Sequence, residues 1–234
     1  MSITTDILQK HGFEPEVAKE FDTYYKLLID WNEKINLTAI TDERESAFKH
    51  FIDSVSALDC GLFGKEANII DVGTGAGFPG LPLKIYRKDL KLTLMDSLNK
   101  RINFLNEVIN VLDLDGIETV HARAEELGRD KKHREKYDIC VSRAVANLAS
   151  LTELCMPFVK VGGYFVSLKG PKASDEVAEA GKAIELLGGE FVEIKNYAID
   201  ETDLDHNLVI IKKVRSTEKR FPRNAPKPVK EPLK

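Results

Sequence analysis

The chain carries the segment Asp71-Val72-Gly73-Thr74-Gly75-Ala76-Gly77-Phe78-Pro79-Gly80, in which glycines alternate with other residues between a strand pattern and a helix pattern. The apolar residues just before it, from position 67 to 72, are typical of a buried parallel strand. Ligands of α/β sheets bind beyond the carboxyl ends of such strands, and glycines there let a ligand approach the backbone. We therefore expect an α/β fold with a ligand site at this segment, which we call the glycine loop (residues 71–80).

The spacing within the glycine loop is compatible with two kinds of ligand. Gly75, Gly77 and Gly80 match the GxGxxG pattern of dinucleotide-binding proteins, which keeps an NAD-dependent oxidoreductase open as an alternative. Asp71 instead favours a ligand with an ammonium group, such as the methionine part of S-adenosylmethionine, because a carboxylate repels a pyrophosphate. Asp96, at the end of the next strand, can accept ribose hydroxyls from either ligand. We interpret the loop as an S-adenosylmethionine site that includes Asp71, Gly75, Gly77 and Asp96.

Strand and helix patterns alternate through the rest of the chain. The predicted strands cover residues 67–72, 91–96, 119–122, 137–142, 164–168, 191–198 and 208–214. Helices are predicted over residues 99–112 and 148–159, and Ser174 is expected to cap another helix that Gly188 ends. This alternation indicates a parallel sheet with helices on both faces. One of the last two strands is expected to be antiparallel, because no helix separates them.

The chain divides into three parts by composition and pattern. Residues 1–60 carry an apolar stripe at three- and four-residue spacing, which includes Phe21 and Tyr24, and this stripe predicts an N-terminal helical extension. Residues 61–214 hold the alternating strands and helices and are expected to form the main domain. Residues 215–234 form a basic, proline-rich C-terminal tail.

The C-terminal tail contrasts with the rest of a chain whose net charge is -4. From Lys212 onward the sequence has nine basic and two acidic residues. Four prolines interrupt this part, at positions 222, 226, 228 and 232. Because prolines prevent a regular helix or central strand, we expect an extended, solvated arm that can lie along a polyanion. A terminus that only aids solubility is the alternative.

Several classes of protein are excluded by composition. The sequence contains no window of eighteen apolar residues and no basic N-terminal region followed by an apolar run, so no membrane partner is expected. Cys60, Cys140 and Cys155 are scattered without CxxC spacing, which predicts neither a disulfide framework nor a metal site. We therefore expect a cytoplasmic protein that binds no metal.

The residues Ser142-Arg143-Ala144, after the fourth predicted strand, bear on the methyl acceptor. Methylases of exocyclic amino groups usually carry an (Asp/Asn)-Pro-Pro-aromatic motif at this place, and carbon-five pyrimidine methylases need a nucleophilic cysteine beside a proline. Neither pattern is present, and Cys140 and Cys155 are interpreted as buried structural residues. A purine ring nitrogen has a free lone pair and needs only positioning. Arg143 is therefore interpreted as a contact to cofactor or target, not as an acid or base.

Two pairs of residues follow other predicted strands. Ala124 and Glu125 come after the third strand, where the adenine edge of such a donor lies, although Glu125 could instead be a helix N-terminal charge. Lys100 and Arg101 lie one turn into the helix after the second strand. They are either solvated helix charges or contacts to phosphate or RNA.

Eight segments together resemble a known family over nearly the whole chain. They are residues 31–38 (WNEKINLT), 50–54 (HFIDS), the glycine loop, 96–101 (DSLNKR), 124–125 (AE), 142–144 (SRA), 168–170 (LKG) and 221–223 (FPR). The chain resembles the glucose-inhibited division protein B family, the small-subunit ribosomal RNA methyltransferase G enzymes of bacteria. This resemblance implies a Rossmann-like, seven-stranded S-adenosylmethionine-dependent methyltransferase fold with an N-terminal helical extension.

The resemblance also implies a reaction and a partner. The methyl group of S-adenosylmethionine would be transferred to ring nitrogen seven of one guanosine in small-subunit (16S) ribosomal RNA. The partner would be this RNA, free or within the 30S particle. A non-catalytic ribosome-assembly factor that keeps the donor site as a remnant is a further alternative.

Roles for individual residues follow from the resemblance as well. It implies that Gly73 and Phe78 line the donor pocket, that Ala124 and Glu125 contact the adenine, and that Arg143 faces cofactor or target. Candidate RNA contacts are His50, Asp53, Lys100, Arg101, Lys169 and Arg223. His50 could equally be a core histidine, because its helix has an apolar face.

One segment departs from the family pattern. It reads Asp205-His206-Asn207-Leu208, where many relatives carry an arginine near His206. A histidine is mostly neutral at pH 7, which weakens any phosphate contact at this point.

Overall fold

The computed structural model describes residues 2–143, 146–199, 201–202 and 206–233, so that Ala144 and Asp205 of the motifs above lie outside the described residues. The N-terminal part forms helices α1 (Ile3–Lys10), α2 (Pro15–Ile35), α3 (Glu43–Ser46) and α4 (Asp53–Val55), with a π-helical turn at Ala47–Ile52 and a 3₁₀ turn at Ser56–Cys60. The strands are β1 (Asn68–Val72), β2 (Lys91–Asp96), β3 (Ile117–His121), β4 (Tyr137–Arg143), β5 (Val159–Lys169), β6 (Gly189–Tyr197) and β7 (His206–Lys213). The remaining helices are α5 (Gly80–Tyr86), α6 (Asn99–Val111), α7 (Ala124–Leu127), α8 (Leu148–Cys155), α9 (Ala173–Leu186) and α10 (Lys227–Lys230).

The seven strands form one sheet in the order β3-β2-β1-β4-β5-β7-β6. β7 is antiparallel to both of its neighbours, and the other pairs are parallel. The predicted α/β fold, with its single reversal in the last two strands, is confirmed. The chain runs outward from β1 in one direction to β2 and β3, and then crosses back to β4. This switch leaves a crevice at the carboxyl end of β1, where the glycine loop begins.

Alternate side chains of each strand enter two different cores, as the pleat of a strand requires. Ile69 belongs to a core that also contains Phe21 and Leu28 of α2. Ile70, the next residue, belongs to a second core that contains Leu151 of α8. The N-terminal extension is therefore packed into the same core as one face of the sheet. None of the described helices is long and apolar enough to cross a membrane.

Some boundaries differ from those predicted from the sequence. α8 ends at Cys155 because Pro157 follows and cannot continue the helical hydrogen bonds. The chain then enters β5 at Val159, five residues earlier than predicted. Ser174 lies inside α9, and Lys172 occupies the N-cap position.

The C-terminal tail is not the extended, solvated arm that its prolines and charges predict. Phe221 is only 4% exposed and belongs to the second core. Arg134 donates hydrogen bonds to the carbonyl oxygens of Thr217 and Phe221, both at 2.8 Å. Arg129 donates to the carbonyl oxygen of Pro222 at 2.7 Å. The prediction was wrong because burial of an aromatic side chain and pairing of backbone carbonyls hold the segment on the protein.

Arg223, a candidate RNA contact, forms an ion pair within the protein. Its Nη2 and Nε atoms donate to the two carboxylate oxygens of Glu153 at 2.7 and 3.0 Å, and its backbone N–H donates to the same carboxylate. The Glu153 side chain is completely buried. A second donation from Nη2 reaches the carbonyl oxygen of Glu231. These contacts engage Arg223 with the protein itself, and its contact with RNA stays a prediction.

We expect Arg223→Ala to destabilise the protein, because the change leaves the carboxylate of Glu153 buried without its counter-charge. Removal of one partner of a buried ion pair lowers the free energy of unfolding by about 3 kcal/mol. Chemical denaturation followed by circular dichroism measures this loss. Lys227→Ala, an exposed change in the same tail, is the control and should cost less than about 0.5 kcal/mol. Equal stability of Arg223→Ala and the unsubstituted protein would contradict the assignment.

Candidate functional site

A cavity of about 490 Å³ opens at the carboxyl ends of β1, β2 and β3. The glycine loop contributes Gly73, Thr74, Gly75, Ala76 and Phe78 to its lining, the end of β2 contributes Met95 and Asp96, and the turn into α7 contributes Ala122, Arg123, Ala124 and Glu125. The N-terminal extension adds Leu37, Thr38 and His50, and β4 adds Arg143. The cavity thus has one side built by the sheet and another built by the extension.

The backbone of the glycine loop is tied to the end of β2. The N–H groups of Gly73 and Thr74 both donate to the carbonyl oxygen of Met95, at 3.0 and 3.1 Å. The N–H of Gly75 donates to a carboxylate oxygen of Asp96 at 3.0 Å. Gly73 and Gly75 have positive φ angles of 72° and 61°, and a Cβ on Gly75 would meet no heavy atom within 4 Å. The loop therefore turns an open backbone surface toward the cavity.

Two glycine-loop residues that were expected to touch a ligand lie elsewhere, since neither Asp71 nor Gly77 lines the cavity. Asp71 is completely buried, and one carboxylate oxygen accepts hydrogen bonds from Thr74 Oγ1 at 2.7 Å and Gly80 N at 2.9 Å. Its other oxygen has no partner among the described residues. Burial raises the pKa of Asp71 to about 7. Asp71 thus holds the loop from behind, and its contact with a ligand's ammonium group stays a prediction.

Gly77 is required by the packing of helix α2. A Cβ at this position would lie 2.6 Å from the hydroxyl oxygen of Tyr24 and 2.6 Å from Cδ1 of Leu81. The Tyr24 hydroxyl donates a hydrogen bond to the carbonyl oxygen of Ala76, and the ring lies beside Phe78 with centroids 5.6 Å apart. The helical extension therefore holds the glycine loop directly, which the sequence patterns did not indicate.

Asp96 lies at the cavity wall with most of its hydrogen-bonding capacity in use. Its carboxylate accepts from the backbone N–H groups of Gly75 and Leu98 and from Arg101 Nη1, the last at 3.1 Å. A carboxylate offers about four acceptor positions, so one remains for a ligand hydroxyl while Arg101 is bound. Arg101 itself lines the cavity, whereas its neighbour Lys100 is exposed and does not.

Arg143 connects β4 to the N-terminal extension. Its Nη1 donates to Asp53 Oδ2 at 2.9 Å and to the carbonyl oxygen of Lys49 at 3.0 Å. Its guanidinium carbon lies 4.7 Å from the ring centroid of Phe78, within cation–π range. His50 stacks on the same ring with centroids 4.3 Å apart. The π-helical turn that carries Lys49 and His50 thus places its polar groups against Arg143.

Asp53 is the shared acceptor of a buried cluster. Besides Arg143, the hydroxyl of Tyr197 donates to it at 2.6 Å, and Nδ1 of His206 lies 2.7 Å from its carboxylate. Burial would raise the pKa of Asp53, but the contacts with His206, Arg143 and Tyr197 lower it below its ordinary value. His206 therefore faces this carboxylate and does not line the cavity.

The candidate RNA contacts fall into two groups. His50 and Arg101 line the cavity, and Lys100 is exposed outside it. Asp53, Lys169 and Arg223 are committed within the protein. In particular, Lys169 Nζ donates to the carbonyl oxygen of Ala146 and to Glu176 at 2.7 and 2.8 Å, and its side chain is 6% exposed. Lys169 is thus engaged by groups of the protein itself, and its contact with RNA stays a prediction.

Some cavity residues were missed from the sequence. Leu37 and Thr38 line the cavity, and the available signal was Asn36, a residue tolerant of left-handed backbone directly after the apolar helical stripe. Arg123 also lines the cavity and is exposed there. Within the described ranges, no group of three or more His, Cys, Asp and Glu side chains could hold a metal ion.

Two solved structures illustrate which proteins share this fold. The crystal structure of M. jannaschii TYW2 in complex with AdoMet has a TM-score of 0.52 and 16% identity, covering 68% of this chain and 75% of that one. A SAM-dependent methyltransferase from Aquifex aeolicus has a TM-score of 0.54 and 18% identity, covering 71% and 92%. The fold is therefore the Rossmann-like fold of S-adenosylmethionine-dependent methyltransferases.

Sequence comparison identifies the family within this class. The family model for GidB, rRNA small subunit methyltransferase G, matches residues 17–209. A Clostridium botulinum (strain Loch Maree) protein named Ribosomal RNA small subunit methyltransferase G is 52% identical over 222 residues, which is 95% of this chain and 93% of the relative. A protein of the same name from Clostridium perfringens (strain SM101) is 53% identical over the same shares. The chain belongs to the rRNA small subunit methyltransferase G family.

We expect Tyr24→Phe to weaken binding of S-adenosylmethionine, because it removes the hydrogen bond that holds the glycine loop at Ala76. Loss of one neutral hydrogen bond corresponds to about 1 kcal/mol, or roughly a fivefold rise in Kd if the loop must be reordered on binding. Isothermal titration calorimetry measures the Kd. Tyr25→Phe is a matched control on the same helix, since its hydroxyl donates to the carbonyl oxygen of Thr41 away from the loop. Equal Kd values for the two variants would rule out this positioning role.

The buried carboxyl of Asp71 predicts a pH dependence of stability. Its pKa is about 7 in the folded protein and about 4 in an unfolded chain, so between these values the folded state holds a proton that the unfolded state has released. Its contribution to the unfolding free energy is full below pH 4 and is lost as the pH rises through 7. Asp71→Asn should remove this contribution, so its melting temperature relative to the unsubstituted protein should rise between pH 5 and pH 8. Asp113→Asn, an exposed change, should leave the profile unaltered.

Proposed function

We propose that the protein transfers the methyl group of S-adenosylmethionine to ring nitrogen seven of a guanosine in small-subunit (16S) ribosomal RNA. The observation that carries this proposal is the cavity at the glycine loop, in a chain that belongs to the rRNA small subunit methyltransferase G family. The relatives' names specify small-subunit ribosomal RNA as substrate. The choice of a ring nitrogen rests on the chemistry around Arg143.

The cavity offers S-adenosylmethionine an open backbone surface and polar groups. Gly73 and Gly75 both line the cavity with positive φ angles, and the space beside Gly75 is open, so the methionine part can lie along this backbone. Asp96 has an acceptor position left for a ribose hydroxyl, and Ala124 and Glu125 would border the adenine. When bound, the donor supplies a sulfonium-activated methyl group. The residues that would hold it are Gly73, Gly75, Phe78, Asp96, Ala124, Glu125 and Arg143.

The groups near Arg143 favour an acceptor that gives up no proton. Burial, together with the positive charge of Arg143, lowers the pKa of His50 to about 3, so its imidazole is neutral and a poor base at pH 7. The carboxylate of Asp53 is occupied by Arg143, Tyr197 and His206. Ring nitrogen seven of guanine carries a free lone pair, so its methylation releases no proton. The protein then needs only to place this nitrogen in line with the methyl group.

Recognition of RNA would use exposed basic side chains around the cavity. Arg123 is exposed at the lining, and Lys100 is exposed at the start of α6. These two can contact phosphates beside a base that leaves its stack to enter the cavity. The target would be small-subunit ribosomal RNA, free or in the 30S particle, in the cytoplasm.

The test is transfer of radiolabelled methyl groups from S-adenosylmethionine to 16S RNA and to 30S particles from cells that lack this gene, followed by nucleoside analysis. We expect label in 7-methylguanosine. Gly73→Val should be inactive, because a branched side chain at φ 72° is strained and enters the cavity. Gly64→Val, at an exposed position with open space around it, is the control and should retain activity. Label in another nucleoside, or donor binding without transfer, would contradict the proposal.

A further inference from the structure

The residues Leu37 and Thr38 enter the cavity because the chain turns sharply at the end of α2. Asn36 adopts left-handed backbone with φ 50° and ends the helix. The side-chain oxygen of Asn32 then accepts a hydrogen bond from the backbone N–H of Thr38 at 2.8 Å. Thr38 is thereby fixed at the cavity wall, on the side that the N-terminal extension builds.

The hydrogen bonds around His50 determine which ring nitrogen carries its proton. Arg143 Nη2 lies 3.2 Å from His50 Nδ1, and a guanidinium can only donate, so Nδ1 is an acceptor. The imidazole is neutral, because burial lowers its pKa to about 3. The single ring proton is therefore on Nε2. This atom lies 2.9 Å from Oγ1 of Thr38 and donates to it.

The hydroxyl oxygen of Thr38 receives a second hydrogen bond, from the backbone N–H of Ile40 at 3.0 Å. A hydroxyl has two acceptor positions and one donor hydrogen. Both acceptor positions are thus filled, and across the part of the chain that the structure describes no acceptor for the donor hydrogen is found. Toward the cavity, the Thr38 hydroxyl can therefore only donate a hydrogen bond. A ligand group that is itself a donor would find no acceptor position free on this hydroxyl.

We propose that Thr38 reads position six of the target purine, donating its hydroxyl hydrogen to O6 of guanine. This assignment rests on the proposed function and extends it to the selection of the base. Guanine presents acceptors at both N7 and O6, whereas adenine presents an amino group at position six. Adenine would place donor against donor and leave the hydroxyl unpaired, which disfavours it. Arg143 and His50 act on this selection indirectly, because they orient the hydrogen bonds that leave Thr38 a donor.

A double-mutant cycle tests this inference, with one change in the side chain at position 38 and the other in the target base. The first measurement locates the nucleoside that the unsubstituted protein methylates in 16S RNA. The RNA is then rebuilt by ligation with either guanosine or 2-aminopurine at that position, since 2-aminopurine lacks O6 and keeps N7. The value of kcat/KM for each RNA is measured with the unsubstituted protein, Thr38→Val and Thr38→Ser. Any change in the intrinsic reactivity of N7 is the same for all three proteins and cancels in the cycle.

The expected result is a strong coupling between Thr38 and O6. Loss of O6 should lower kcat/KM about tenfold for the unsubstituted protein and for Thr38→Ser, which retains the hydroxyl. Thr38→Val should lose about tenfold on the guanosine RNA, and its further loss on the 2-aminopurine RNA should be only the change in intrinsic N7 reactivity, so that the cycle gives a coupling of about tenfold. Its Kd for S-adenosylmethionine, measured by calorimetry, should stay within twofold of the unsubstituted value. Thr23→Val, which removes a hydroxyl from the outer part of α2, should behave as the unsubstituted protein.

Three other outcomes overturn the inference. Losses that multiply in the cycle would show that Thr38 and O6 act independently. A matching loss of donor affinity in Thr38→Val would assign the hydroxyl to the donor. If the unsubstituted protein labels no guanosine, the proposed function itself fails, and the assignment of Thr38 falls with it. Should Thr38→Val not fold, Thr38→Cys, whose sulfur is only a weak donor, takes its place in the same cycle.

Discussion

The hydrogen bond from the buried hydroxyl of Tyr24 to the carbonyl oxygen of Ala76 ties the glycine loop to the helical extension, and the geometry of the cavity depends on it. A segment with alternating glycines has high conformational freedom, which must be removed before its backbone can present a fixed surface. Asp71 restricts the loop by accepting hydrogen bonds from Thr74 and Gly80. Asp96, at the end of β2, restricts it further by accepting one from the backbone N–H of Gly75. The extension is therefore part of the cavity wall. Position 77 requires a glycine because a Cβ there would overlap the hydroxyl of Tyr24.

A second set of contacts joins the extension to the sheet through Arg143. This side chain satisfies the buried carboxylate of Asp53, covers the ring of Phe78 and donates to His50. Because the guanidinium offers only donors, it forces a direction on every hydrogen bond that follows, through His50 to Thr38. One arginine on β4 thus sets the direction of the hydrogen bond between His50 and Thr38.

The pattern of strands and helices could be predicted because it depends on neighbours in sequence. The strand before Gly73 and the position of Asp96 at the end of β2 follow from apolar runs and glycine spacing, and the structure agrees with both. The fate of charged side chains could not be predicted in this way. Arg223 pairs with the buried Glu153, which is seventy positions away in the sequence. Lys169 pairs with Glu176 only because α9 packs back against the sheet. A charged residue in a motif looks the same whether it is solvated or paired.

The sequence by itself determined the alternating fold, the place of the cavity at the glycine loop and the family, since periodicity, turn residues and short motifs are local properties. Only the tertiary structure decided which residues of those motifs face the cavity. Asp71 is buried behind the loop, where it accepts hydrogen bonds from Thr74 and Gly80. The basic tail packs on the protein because Phe221 is buried and Arg223 pairs with a buried carboxylate. Such outcomes depend on contacts between distant segments, whose energies are settled when the chain is packed.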